Sequence, residues 1–302
     1  MTSHLVFAVL EVTNTVILSD DNSTNLLFKN AGFKKVQIFK TNLIRALTAV
    51  TNDTCDLLIL EETFDDKPTT SIIRGIREGK IGDNIFLPVI ALLSSNDEKA
   101  ITAGIEAGAD DVVVKPLSVN IINSRIGGLL KRKMQYVVTP EYIGPTRRPE
   151  DRTGALKDQL IDVPNIMRAK SEGHDEVVAQ IREEIQSASL NINNRRVSLQ
   201  GDQIDGLITR LVAEPAKFDP LIKSIRKVAR GFMERLKGTD FSHIGELCRM
   251  LEKVTDELAG VDDKRNIELL VLLGQAISLS FKDDEASRNR ALEMAELIKK
   301  KF

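Results

Sequence analysis

A chain of 302 residues, 42% of them hydrophobic, has length for two domains and enough apolar surface to bury a core in each, which excludes an intrinsically disordered protein. Its 42 Lys and Arg stand against 44 Asp and Glu, so no global field selects nucleic acid or an anionic membrane. Aromatics make up 4% with no Trp, which favours helices and parallel aliphatic strands over an aromatic binding sheet.

The N-terminal stretch MTSHLVFAVLEV has neither the basic segment nor the small-residue cleavage site of a secretory signal. Short aliphatic runs then follow at Thr15 to Asp21 (TVILSDD), Lys35 to Phe39 (KVQIF), Asp56 to Leu60 (DLLIL), Leu87 to Leu93 (LPVIALL) and Asp111 to Lys115 (DVVVK). Segments with apolar residues at helical spacing lie between and after them: TNLIRALTAV, TTSIIRGIREG, NDEKAITAGIEAGA and SVNIINSRIGGLLKRK. The alternation predicts an α/β domain over residues 1–133, a five-stranded doubly wound parallel sheet with helices on both faces. HLVFAVLEV is not taken as the first strand, because that would place Ser19, Asp20 and Ser23 on the buried face of the next helix. Ligands bind such sheets at the carboxyl ends of the strands. Asp20, Asp21, Glu61 and Lys115 all stand at strand ends and are expected around one crevice.

Residues 134–172 hold QYVVTPEYIGPTRRPEDRTG, with three of the nine prolines, and read as a linker, ordered in part where Tyr136 to Val138 and Tyr142 pack on a neighbour. From residue 118 to 172 there are 10 basic and 6 acidic residues. No aromatic residues interleave with those charges as a stacking platform, so nucleic-acid binding is not favoured. From Asp175 the period is helical. Val178, Ile181, Ile185, Ala188 and Ile192 form a coiled-coil-like seam of about two heptads. Breaks at Pro215, Pro220, Gly238, Gly260 and Lys282 then predict an all-α bundle of four or so antiparallel helices over residues 173–302. Its centre is Ile267 to Phe281, which is apolar on most sides but interrupted by Glu268 and Gln275, and shorter than the roughly 20 residues that cross a membrane. Cys55 and Cys248 sit in apolar patterns and read as buried free thiols of a reducing compartment, so a cytoplasmic location away from membranes is the expectation.

Tandem acids after the first strand, an acid after the third and Lys-Pro after the fifth form a specific constellation. With VILSDDN, DLLILE, LPVIALLSS and GIEAGADDVVVKPL, the first 133 residues resemble the flavodoxin-like receiver domain of two-component response regulators. Gly108, Ala109, Asp110 and Lys115-Pro116 have the family's spacing, and the resemblance implies a cis bond before Pro116. It also implies that Asp20 and Asp21 are the acidic pocket that holds Mg²⁺, that Lys115 pairs with transferred charge, and that Glu61 occupies the phosphoacceptor position. The switch hydroxyl position falls on Leu93, with Ser94 beside it, and the switch aromatic position on Val112.

These departures bear on the chemistry. Glu is a methylene longer than Asp, a displacement of the order of 1 Å, which can cost around 10²-fold in rate. Leu93 supplies no hydroxyl to hold a phosphate, and Val112 has no aromatic rotamer to report one. The first helix, from Asp21 to Gly32, is shorter than the family's docking helix. Two roles remain open for Glu61: a partial imitation of the phosphorylated state, with one negative charge where an acyl phosphate brings about two, or an inherited structural ion pair with Asp20, Asp21 and Lys115.

In the second half, ERLKG (Glu234 to Gly238) has the spacing of the H-x-L-K-G motif of histidine phosphotransfer bundles, with Glu234 where the histidine would be; the plainer reading is a charged helix end stopped by Gly238 and followed by the cap Asp240. His174 and His243 lack that motif and have no partner at metal-ligand spacing. No phosphate loop, nucleophile elbow or other enzyme signature occurs. The expectation is a non-enzymatic signalling protein, independent of phosphorylation and without a cofactor, that docks protein partners through the face from Asn96 to Lys131. Such partners include a signalling kinase, a phosphotransfer protein or a second copy of the chain. The alternatives are a working phosphorelay regulator that accepts phosphate or binds Mg²⁺, and a nucleic-acid-binding regulator.

Overall fold

The computed structural model describes the chain except for residues 1, 53, 132–133, 140, 148–159, 174, 237–240, 242–243, 259, 262, 283 and 302. It divides into two compact units, Met1–Ile192 and Asn193–Phe302.

In the first unit, helix α1 (Thr2–Val12) is followed by β1 (Thr15–Leu18), α2 (Asn22–Asn30), β2 (Val36–Phe39), α3 (Leu43–Thr51) and β3 (Leu57–Glu61). A short hairpin comes next, β4 (Thr63–Phe64) and β5 (Lys67–Pro68), and then α4 (Thr70–Arg77), β6 (Val89–Leu93), α5 (Glu98–Ala107), β7 (Asp111–Val114) and α6 (Val119–Lys131). The five long strands form one parallel sheet in the order β2-β1-β3-β6-β7. β3 and β6 are buried at every position, which is why their sequences are continuous aliphatic runs rather than alternating ones. One face of the sheet packs its Ile17, Leu57, Ile59 and Ile90 with Phe28 of α2 and Ile122, Ile126 and Leu129 of α6. The other packs Val16, Leu58, Leu60 and Val89 with Ala46 of α3 and Ile72, Ile73 and Ile76 of α4. This is the doubly wound arrangement expected from the strand–helix alternation.

HLVFAVLEV lies within α1, and Val6, Val9 and Leu10 are buried at helical spacing where α1 packs against α6.

Beyond α6, where a linker was expected, β8 (Met134–Val138), β9 (Ile143–Pro145) and β10 (Leu160–Val163) form an antiparallel sheet in the order β10-β8-β9. Tyr136 is opposite both Pro145 and Ile161. The sheet is held to the parallel domain by buried polar contacts. The Arg77 guanidinium is 2% exposed and lies 2.7 Å from Asp110 Oδ2. It also donates from Nε to the Gly108 carbonyl and from Nη1 to the Ile85 and Leu87 carbonyls. The Tyr136 hydroxyl donates to Asp110 Oδ1 at 2.7 Å, and its ring meets Phe86 edge-on at 5.2 Å. Gly108 has φ of 98° and sits so close to β9 that a Cβ would lie 2.7 Å from the Ile143 carbonyl oxygen, so the position requires glycine.

α7 (Ile166–Ser171) and the beginning of α8 (Asp175–Ala213) complete this unit. Asp56, fully buried at the start of β3, accepts from Lys170 Nζ at 2.5 Å, Arg182 Nη2 at 2.8 Å and the Asn14 N–H at 2.9 Å. The seam of α8 does not make a coiled coil. Ile185 and Ile192 are buried with Ile85, Phe86 and Tyr136, and Val178 packs on the cluster around α6.

The second unit holds the rest of α8, a 3-10 turn (Pro215–Lys217), α9 (Phe218–Leu236), α10 (Gly245–Glu257), α11 (Lys264–Leu279) and α12 (Glu285–Lys301). α11 is its centre, with Leu270, Leu273, Ala276 and Ile277 fully buried and with α10 and α12 against it. Among the described residues this unit contains no strand. Cys55 and Cys248 are free and buried, one in each unit, and burial pushes both thiols up to about 12. Among the described residues no helix is long and apolar enough to cross a membrane.

Candidate functional site

The parallel sheet delivers its strand ends to one edge, and register decides which side chains meet there. β1 pairs with β3 so that Leu18 is level with Leu60, and β3 with β6 so that Glu61 is level with Leu92. Glu61, the last residue of β3, is 6% exposed. Lys115 follows β7 directly, its N–H bonded to the Leu93 carbonyl at 2.9 Å, and the Lys115-Pro116 bond is cis.

The Lys115 ammonium lies 2.9 Å from Glu61 Oε1 and 3.1 Å from Asp21 Oδ2, bridging the two carboxylates. Burial works against its charge, but the hydrogen bond and charge of Glu61, then those of Asp21, outweigh it and hold the Lys115 pKa above the ordinary lysine value. Asp21 is the N-cap of α2: Oδ1 accepts from the Ser23 N–H at 2.8 Å and Oδ2 from the Thr24 hydroxyl at 2.6 Å. The Thr24 bond is the main reason its carboxyl is held well below the usual range, against burial and with help from the Ser23 N–H and Lys115.

Asp20 is exposed and Ser94 is exposed, its N–H donating to Glu62 Oε2 at 3.3 Å. Leu93 is buried at 3% exposed, and Val112 is half-buried against Gly104 of α5. Of the residues singled out from the sequence, the structure therefore brings Asp21 and Glu61 each into contact with Lys115, with Leu93 bonded to the lysine backbone. His174 and His243 lie outside the described residues, as do Lys237, Gly238 and Asp240 of the ERLKG region.

Two residues were missed. Ser19, fully buried, donates from its hydroxyl to Glu61 Oε1 at 2.9 Å, and the Thr69 hydroxyl donates to the Glu61 carbonyl at 2.5 Å. Ser19 was legible in principle: it follows Leu18, which pairs with Leu60, so it stands level with Glu61. Thr69 comes to the site through the β4–β5 hairpin, whose Asp65 caps the start of α3 by accepting from the Leu43 N–H at 2.8 Å; Asp65 and Asp66 take left-handed backbone with φ of 50° and 58°.

The crevice thus holds one ammonium shared by two carboxylates. The donors that would hold Mg²⁺ in such a strand-end arrangement are in part already engaged. Oδ1 and Oδ2 of Asp21 are both engaged, Glu61 Oε1 is shared by Ser19 and Lys115, and an ammonium occupies the space between the carboxylates. Among the described residues no three His, Cys, Asp or Glu side chains converge as a metal site.

No family model matches the chain. It is 44% identical over 77 residues to the transcriptional regulatory protein AfsQ1 of Streptomyces coelicolor, covering 26% of this chain and 32% of that one. It is 28% identical over 149 residues to the transcriptional regulatory protein CseB of Streptomyces avermitilis, 48% of this chain and 58% of the relative. With the response regulator ArlR of Staphylococcus saprophyticus it shares 31% over 96 residues, 32% and 40% of the two chains. These relatives are response regulators, and the five-stranded parallel sheet of the N-terminal region is consistent with a receiver fold. The chain spans about a third to three fifths of the length of these curated relatives. At the strand-end crevice of this region, Glu61 is held by the Lys115 ammonium and by the hydroxyl of Ser19, the residue that follows β1.

Proposed function

We propose that this chain is a response regulator whose receiver is held in one state by Glu61 rather than switched by phosphate, and which acts by docking a protein. The Lys115 ammonium, seated between Glu61 and Asp21 at 2.9 and 3.1 Å, carries this reading. In that geometry the cation a transferred phosphoryl would need is already neutralised, and Leu93 offers no hydroxyl to receive one. Val112, small and half-buried, has no aromatic rotamer with which to report a change. The docking face is α5, β7 and α6, from Asn96 to Lys131, and a sensor kinase or phosphotransfer protein is the class of partner. The word "transcriptional" in two relatives' names is not carried over, because the chain covers only part of each relative and its formal charge is −2.

Incubation of the full chain with acetyl phosphate and Mg²⁺, followed by intact-mass measurement, tests this. No added mass is expected for the wild type. A stable gain of one phosphoryl group, absent in Glu61→Gln, would show a working phosphoacceptor and overturn the proposal.

A further inference from the structure

The amino end of the parallel sheet, opposite the edge that holds Glu61, carries a cavity that the proposed function does not use. It measures about 190 Å³ and opens to solvent between the end of α3, the loop from α4 to β6 and the first part of α8. All of these lie within the first unit. Gly82 shapes one wall: its φ is 69°, and a Cβ there would lie 3.3 Å from the Thr51 Cα, so a larger residue would push the loop off the end of α3. The apolar part of the lining is Val50, Cys55, Ile81, Leu87 and Ile185, each buried or half-buried.

Three charged residues line it: Arg182, Asp83 and Glu183. Arg182 Nη2 is bonded at 2.8 Å to the buried Asp56, which Lys170 Nζ also meets at 2.5 Å. One carboxylate cannot neutralise two cations, so a positive charge is left over beside the cavity. Asp56 takes one of the N–H donors of the Arg182 guanidinium, and among the described residues the others have no partner. Asp83 and Glu183 are exposed, and among the described residues neither is hydrogen-bonded or ion-paired. Lys80, which precedes Ile81, is itself taken by Glu78 at 2.7 Å. The lining thus offers open guanidinium donors, two open carboxylates and an apolar surface.

We infer that this cavity binds a free α-amino acid with a branched aliphatic side chain. The ligand carboxylate takes the donors of Arg182 that Asp56 leaves open, a charge-assisted pairing to which a guanidinium is well suited. Its ammonium takes Asp83 and Glu183, and its side chain covers Val50, Ile81, Leu87 and Ile185. Size agrees: the volume is below the roughly 300 Å³ at which pockets for drug-sized ligands begin, and suits a molecule of about nine non-hydrogen atoms. A purely anionic ligand would meet two carboxylates and a purely cationic one the guanidinium, so the lining discriminates against both. Because the lining combines the α/β domain with Arg182, Glu183 and Ile185 of α8, an occupied cavity clamps the start of α8 onto that domain. The inference is independent of Glu61 and stands whether or not that residue accepts phosphate.

Isothermal titration calorimetry of the full chain with L-leucine tests it. Binding is expected with a dissociation constant of the order of 100 μM. 4-Methylpentanoate, which lacks the ammonium, and isoamylamine, which lacks the carboxylate, are expected to bind about tenfold more weakly or worse. Asp83→Asn combined with Glu183→Gln, both at exposed sites, is expected to weaken leucine binding about tenfold. Gln186→Trp, which puts a bulky side chain on the exposed rim, is expected to abolish it while cooperative unfolding is retained. With leucine bound, amide hydrogen exchange across residues 175–186 should slow about fivefold or more. No binding of leucine, isoleucine or valine up to about 10 mM overturns the inference. So does an analogue that matches leucine, or leucine affinity unchanged by Gln186→Trp; binding without slowed exchange overturns the clamp.

Discussion

Lys115 serves two carboxylates at once, and Glu61 is the more enclosed of them, with its side chain 8% exposed. Replacing that carboxylate by an amide keeps the shape and removes the charge, leaving a partly buried ammonium with Asp21 alone. Glu61→Gln is expected to destabilise the receiver by about 1–3 kcal/mol at pH 7, measured by urea unfolding. The pH dependence follows from the direction of the Lys115 shift. A pKa raised in the folded state contributes stability that is fully present below the ordinary lysine value of 10.5 and is lost as pH rises through the raised value. The gap between wild type and Glu61→Gln should accordingly be constant at neutral pH and close in alkali. A gap that persisted above the lysine titration would mean that the ammonium is not what Glu61 stabilises.

Among the elements, β8 shows how a segment rich in turn residues can still be structural. Its Tyr136 is fully buried, and its hydroxyl bonds the same Asp110 that neutralises the buried Arg77 guanidinium. The two bonds differ in what their loss leaves behind. Tyr136→Phe removes one neutral donor and is expected to cost about 1–2 kcal/mol; Asp110→Ala strands a buried cation and is expected to cost about 3–5 kcal/mol. Thermal denaturation of the two variants gives the ranking, and equal losses would contradict the assigned role of Asp110. The same element marks where sequence reading ends. The parallel strands were legible because each is a buried aliphatic run closed by turn residues, and the site because its acids and lysine stand at the ends of those runs. QYVV, IGP and LIDV are too short for a period to show, one carries a proline, and the pairing of the last with the first joins residues far apart in sequence. The seam of α8 was legible as apolar but not its target, since 3,4 spacing says which side of a helix is buried and not against what. Ser19 was hidden for a different reason: a lone serine has no signal until strand register puts it beside Glu61.

At the scale of the molecule, these contacts move the edge of the first folding unit from the end of α6 to Ile192. Phe86 and Ile85 are buried in one cluster with residues of β8, β9, β10 and α8, and the buried Asp56 is bonded by Lys170 of α7 and Arg182 of α8. A fragment of residues 1–133 is expected to unfold without a sharp transition or to aggregate, while 1–192 unfolds cooperatively; circular dichroism against temperature distinguishes them. A cooperative 1–133 with wild-type midpoint would show that the added sheet is ornamental. For the charge cluster, the consequence under the proposed function concerns time. A carboxylate supplied by translation is present from the moment the chain folds and disappears only with the chain. The signal such a receiver carries is then set by synthesis and degradation, and its response is as slow as protein turnover.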